Sequence, residues 1–171
     1  MLRKKSIDPQ EYAIREARIS DAKGIIECMQ SVMDEHTFLV SEYYLLTERG
    51  EQDRLRNIED LTLVLEYGPE IVGVLTLQRG MFKKNHHTAS LGIAIKKNHR
   101  SMGHGTRLIK SAVEWAKSKG IEKIWLEVFS TNTRAIEVYK KIGFIVEGNK
   151  EKQFIIDGNY VDDVLMSYWI G

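Results

Sequence analysis

The stretch "HRSMGHGTRLIK", residues 99–110, sets Gly103 and Gly105 two apart just ahead of a run with helical apolar spacing, with Arg100 before them. A helix start leaves about four backbone N–H groups without intrahelical partners and carries roughly half a positive charge. Glycines at alternate positions remove the Cβ atoms that would hold an oxygen away from those groups. The chemistry on offer is anion binding, with Arg100 and Lys97 at the entrance. Two phosphate motifs do not fit the letters. Gly105 is followed by Thr106 and Arg107 with no lysine between, and Leu108 stands where a third dinucleotide-binding glycine would be.

The charge distribution points the same way. Net charge is +1, yet from Ile71 to Val113 there is no aspartate or glutamate against eight lysines and arginines, which leaves −7 for the rest. Such a layout steers an anionic ligand to one face of a near-neutral protein. A nucleic-acid surface would interleave aromatic rings with the cations, and none lies between Lys83 and Lys110, so no nucleic-acid partner is expected. The adjacent His86 and His87 would point to opposite faces of a strand and lack a second ligand at a usable spacing, so no metal is expected.

The elements that must position these residues follow from periodicity. "YAIREAR" alternates as a strand, Ser20 reads as an N-cap, and Ile25, Met29, Val32 and Met33 place a helix over about 21–35. Residues 36–60 read as a less regular helical region broken at Gly50. "LTLVLEYGPEIVGVLTLQRG" is a hairpin about Gly68–Pro69, extended by a third strand over 87–95. A helix from Gly103 to a C-cap at Gly120 follows, then a strand over 123–129 and a helix stopped by Gly143. Two strands about Asp157-Gly158-Asn159 end the chain. The order β-α-α-βββ-α-β-α-ββ predicts an α/β fold (α+β mixed sheet) with helices on its faces, one domain over 1–171 with its core over 12–170. The lone Cys28, the absence of an apolar run of about 20 residues and an opening segment without a secretory apolar core predict a cytoplasmic protein without membrane partners.

"IAIKKNHRSMGHG" followed by "NTRAIEVYKKIGF" resembles the GNAT superfamily of acyl-CoA-dependent N-acyltransferases. The signature R/Q-x-x-G-x-G/A is met as Arg100, Ser101, Met102, Gly103, His104 and Gly105; the second, an asparagine before a tyrosine-bearing helix that ends in Gly-Phe, as Asn132, Tyr139, Gly143 and Phe144. The resemblance runs from Tyr12 to Ile170 and implies acetyl-CoA as cosubstrate, with backbone amides from Arg100 to Thr106 holding its pyrophosphate. It further implies that backbone groups of Ile93 and Ile95 bond the pantetheine arm, that an Ile95 N–H serves as an oxyanion donor, and that Asn132 touches the cofactor from the other wall. One such donor is worth ~3 kcal/mol of barrier.

The implied reaction is direct attack of a small-molecule or peptide amine on the thioester in a ternary complex. Tyr139 is the implied acid for the leaving thiolate, since a phenol is protonated at neutral pH. A glutamate found before the phosphate loop in many relatives is replaced by Ser90 and Gly92, which leaves Glu127, His87 or a water chain as candidate bases. A non-catalytic acyl-CoA-binding regulatory or interaction module is the alternative, against which Tyr139 speaks. Acids over 36–60, among them Glu42, Glu48, Glu51, Asp53, Glu59 and Asp60, lean to a cationic acceptor. A homodimer fits the family without being written in these residues.

Overall fold

The structure, a computed structural model, describes residues 11–171; the basic opening segment lies outside them. Its strands are β1 (Tyr12–Glu16), β2 (Leu61–Tyr67), β3 (Glu70–Arg79), β4 (Thr88–Ile95), β5 (Lys123–Phe129), β6 (Ile145–Ile156) and β7 (Asn159–Trp169). The helices are α1 (Ala22–Met33), α2 (Glu48–Leu55), α3 (His104–Ser118) and α4 (Thr133–Ile142). One mixed sheet runs β1-β2-β3-β4-β5-β7-β6, every neighbouring pair antiparallel except β4–β5. A parallel pair needs a crossover, and α3 supplies it.

The near-continuous apolar runs of β2 and β3 are explained by helices on both faces of the sheet. Val64 and Val74 turn to one face and bury against Ile25 and Cys28 of α1. Leu63, Leu65, Leu75 and Leu77 turn to the other and share the larger core with Leu108, Ile109 and Ala112 of α3. The β6–β7 turn has Asp157 at φ 50° and Gly158 at φ 78°, the two positive values that a two-residue hairpin of this twist requires.

Two local readings are corrected. Ser20 lies inside a short 3-10 turn over Ile19–Asp21 rather than capping α1, and that turn is closed by the Arg18 N–H on the Asp21 carboxylate at 2.6 Å. Gly50 does not break a helix; it sits in the first turn of α2, where its N–H donates to the Thr47 hydroxyl, the true N-cap, at 3.2 Å. No helix among the described residues is long and apolar enough to cross a membrane.

Candidate active site

The β4–β5 pairing is short. It joins Thr88–Ser90 to Lys123–Trp125 and ends there, although β4 stays paired to β3 as far as Ile95 and β5 to β7 as far as Phe129. Each strand is anchored on its outer side, so a gap opens between them, part of a cleft of about 980 Å3. In β4 the Lys96 N–H donates to the Val72 carbonyl and the Thr88 carbonyl accepts from Gly80. Alternation therefore turns even-numbered peptide groups toward β3 and those of Ile93 and Ile95 toward the gap.

The loop at the base of the gap is left-handed twice, at Ser101 (φ 71°) and Gly103 (φ 81°). A Cβ at Gly103 would meet nothing within 4 Å, so in the protein alone this glycine supplies a backbone conformation rather than space. It is the N-cap of α3, and it lines the cleft together with His104, Gly105 and Thr106 of that helix's first turn, where the N–H groups lack intrahelical partners.

One side chain at the loop departs from expectation. The Arg100 guanidinium does not stand open at the entrance: its Nε donates to the Ile95 carbonyl at 2.6 Å and its two terminal nitrogens grip the Glu35 carboxylate. His99 and His104 line the cleft and pack against Tyr12. His99 Nδ1 is 2.8 Å from the Tyr12 hydroxyl, and the His104 ring, 4% exposed, lies 4.2 Å from that of Tyr12 with its Nε2 lacking a partner. Burial, ahead of other causes, lowers both imidazole pKa values. The residues with the loop's exposed surface are Ser101, Met102 and Gly103.

On the other wall Asn132 caps α4, its side-chain oxygen accepting the Ala135 N–H at 3.3 Å, and lines the cleft beside Thr131. Tyr139 lines it too while packing 5.7 Å from Phe144, and burial pushes its phenol up to about 12. It is a core residue and a cleft residue at once.

Glu127 lies on the face of β5 opposite Leu126 and Val128, which share the core with Tyr139. Its carboxylate accepts from Lys150 Nζ at 2.6 Å, and the same ammonium is 3.5 Å from Asp163. Asp163, 3% exposed, lines the cleft with Glu127, and burial followed by the Glu127 charge raises its carboxyl. The sequence reading missed Asp163, although it shares the inward parity of Val161 on an alternating strand, which is an unusual place for a carboxylate.

His87 is removed as a candidate base: it precedes the closed end of the β4–β5 pair, where its carbonyl accepts from Glu122 and Lys123, and it does not line the cleft. The acids over 36–60 do not face the cleft either. Glu51 is buried against Tyr44 and Arg54, Asp53 pairs with Arg56, and Glu59 with Arg79. What that region brings to the cleft is apolar: Phe38, Leu39 and Val40.

Residues 25–144 match the model of the acetyltransferase (GNAT) family. The chain belongs to the GNAT family. An L-amino acid N-acetyltransferase of Escherichia coli, AaaT, is 32% identical over 102 residues, covering 57% of this chain and 61% of that GNAT relative. An N-alpha-acetyltransferase of Sulfurisphaera tokodaii is 30% identical over 147 residues, 79% of this chain and 81% of its own length. A GNAT-family acetyltransferase structure from Streptococcus pneumoniae superposes with a TM-score of 0.88 at 30% identity, over 94% of this chain and all of that one. The mixed α/β sheet expected from the element order is thus the one found, and the family expected from the two motifs is the one matched.

Proposed function

We propose that the protein transfers an acetyl group from acetyl-CoA to a primary amine in a ternary complex. The observation that carries this is the unpaired stretch of β4 and β5. One opening is bordered by the left-handed loop at the start of α3, the Ile93 and Ile95 peptide groups, Tyr139 and Glu127. The residues fit the cosubstrate: the loop conformation exposes N–H groups without a Cβ at Gly103, and the only carboxylates lining the cleft among the described residues, Glu127 and Asp163, lie away from it on β5 and β7. Acetyl-CoA supplies a thioester as the acetyl donor.

The chain's own residues do the rest. Amides from Arg100 to Thr106 hold the pyrophosphate, and Asn132 faces them across the cleft. Ile93 and Ile95 present peptide groups to the pantetheine arm; the Ile95 carbonyl is taken by Arg100, so its free group is the N–H, the one suited to a developing oxyanion. Glu127 accepts the proton of the incoming ammonium, having the Lys150 ammonium as its present partner. Tyr139, held protonated by burial, donates on the cofactor side. Their positions on opposite faces of β5 keep the two proton transfers apart. The acceptor end combines two carboxylates with an apolar wall, which favours a singly charged ammonium with an apolar neighbour, such as an amino acid or a peptide N-terminus, over a polyamine.

The test is the rise in melting temperature on adding acetyl-CoA or CoA, with ATP and NAD as controls. A ligand at a hundredfold excess over its dissociation constant stabilises the native state by ~2.7 kcal/mol. A shift confined to acetyl-CoA and CoA is expected; its absence would sink the reading.

A further inference from the structure

Resting on that reading, we infer that Glu35 is a positioning residue: through Arg100 it fastens the segment that carries the apolar wall Phe38, Leu39 and Val40 to the loop that holds the cofactor. The segment between α1 and α2 has no regular structure, and its two halves are held differently. The second half is tied to α1, where Gln30 donates to the Glu42 carbonyl at 3.1 Å and accepts from the Tyr44 N–H at 3.0 Å. The first half turns sharply at His36, whose φ is +54°, and then presents Phe38, Leu39 and Val40 to the cleft. Among the described residues no hydrogen bond, backbone or side chain, reaches 38–40.

Backbone bonds from Asp34, Glu35 and His36 to α1 hold the start of this half, and one guanidinium ties it to the loop before α3. Arg100 Nη1 donates to Glu35 Oε1 at 2.8 Å, Nη2 donates to Oε2, and the guanidinium carbon lies 4.9 Å above the Phe38 ring. The same group donates through Nε to the last carbonyl of β4. A planar fork thus engages two elements in bidentate and single-donor fashion and stacks on a third contact, which a lysine could not do. Arg100 is also the residue directly before the left-handed turn at Ser101. Ordering of that turn by an anion therefore restricts Arg100, and Arg100 restricts the wall, without the cofactor touching Phe38. The sequence motif assigns the arginine to the loop; nothing in the motif assigns a partner 65 residues earlier in the chain.

The test is amide hydrogen exchange of the full-length protein, with and without CoA, on wild type and Glu35→Gln, with CoA affinity measured by calorimetry. Without CoA, exchange over 34–36, whose N–H groups donate to the Gln30, Val32 and Met33 carbonyls, should be at least several-fold faster in the variant than in wild type, while exchange over 42–46 is unchanged. Adding CoA should slow 34–36 in wild type and leave it unaltered in the variant, whose CoA affinity stays within about threefold of wild type. A merely structural role would lower the melting temperature and leave the response to CoA in place. Equal protection of 34–36 by CoA in both proteins, or equal exchange without CoA, would overturn the inference, as would loss of CoA binding in the variant. Failure of wild type to bind CoA would instead overturn the cosubstrate reading and leave the arm without CoA to decide on Glu35. Glu35→Asp, which keeps the charge, should restore part of the wild-type protection.

Discussion

Tyr139 both packs against Phe144 and lines the cleft, and in the proposed reaction it is also the proton donor. Replacing it by phenylalanine keeps the ring that packs against Phe144, so acetyl-CoA affinity should stay while kcat falls about 10²–10⁴-fold. Glu127→Gln should lower kcat by a similar factor, read by thiol release with the best amine of a panel. The phenol also makes stability depend on pH. Its folded pKa of about 12 lies above the ordinary value of 10, so it contributes stability that is complete below pH 10 and lost as pH rises through 12, on the order of 3 kcal/mol in all. Urea titrations across that window should show Tyr139→Phe losing less than wild type. Lys150 sits where an acceptor ammonium would meet Glu127 and Asp163. Lys150→Met should therefore lower the KM for a singly charged amine with kcat little changed; an unchanged KM would mean that the acceptor does not compete for these carboxylates.

Elements set these residues in place by what they leave unpaired. β4 and β5 are each fully bonded on the outer side and part from one another after Ser90 and Trp125, which frees the Ile93 and Ile95 peptide groups. The loop between β4 and α3 must then reverse in left-handed backbone. Gly103→Ala, with nothing near the added Cβ, costs only the conformation, ~1 kcal/mol or somewhat more. Its melting temperature should fall by a few degrees, and the shift produced by CoA should shrink, because the loop relaxes away from φ 81°. A shift as large as that of wild type would show that the loop conformation does not carry the binding. The motif letters made this turn legible because glycine spacing constrains backbone locally. They could not show that the Arg100 side chain leaves the turn, since Glu35 and Phe38 reach it only through the fold.

At the scale of the molecule the acids of residues 36–60 illustrate the limit of reading charge from sequence. Glu51 is fully buried with Arg54, whose other donor holds Thr62 at 3.0 Å, so the pair fastens α2 to β2. Glu51→Gln leaves a largely buried guanidinium without its counter-charge and should cost ~3 kcal/mol by urea denaturation, with kcat/KM of the folded protein unchanged because Glu51 is outside the cleft. The sequence by itself determined the element order, the two-faced core helices, the glycine turn before α3 and the Asn132 and Tyr139 motif, since each rests on spacing along one segment. Tertiary structure alone decided which carboxylates line the cleft. Asp163 and Lys150 join Glu127 from two other strands, and Glu51, Asp53 and Glu59 turn to arginines elsewhere. The physical reason is that a charge acquires its role from what lies within a few ångströms of it. Those neighbours come from strand register and loop path, which local periodicity does not encode.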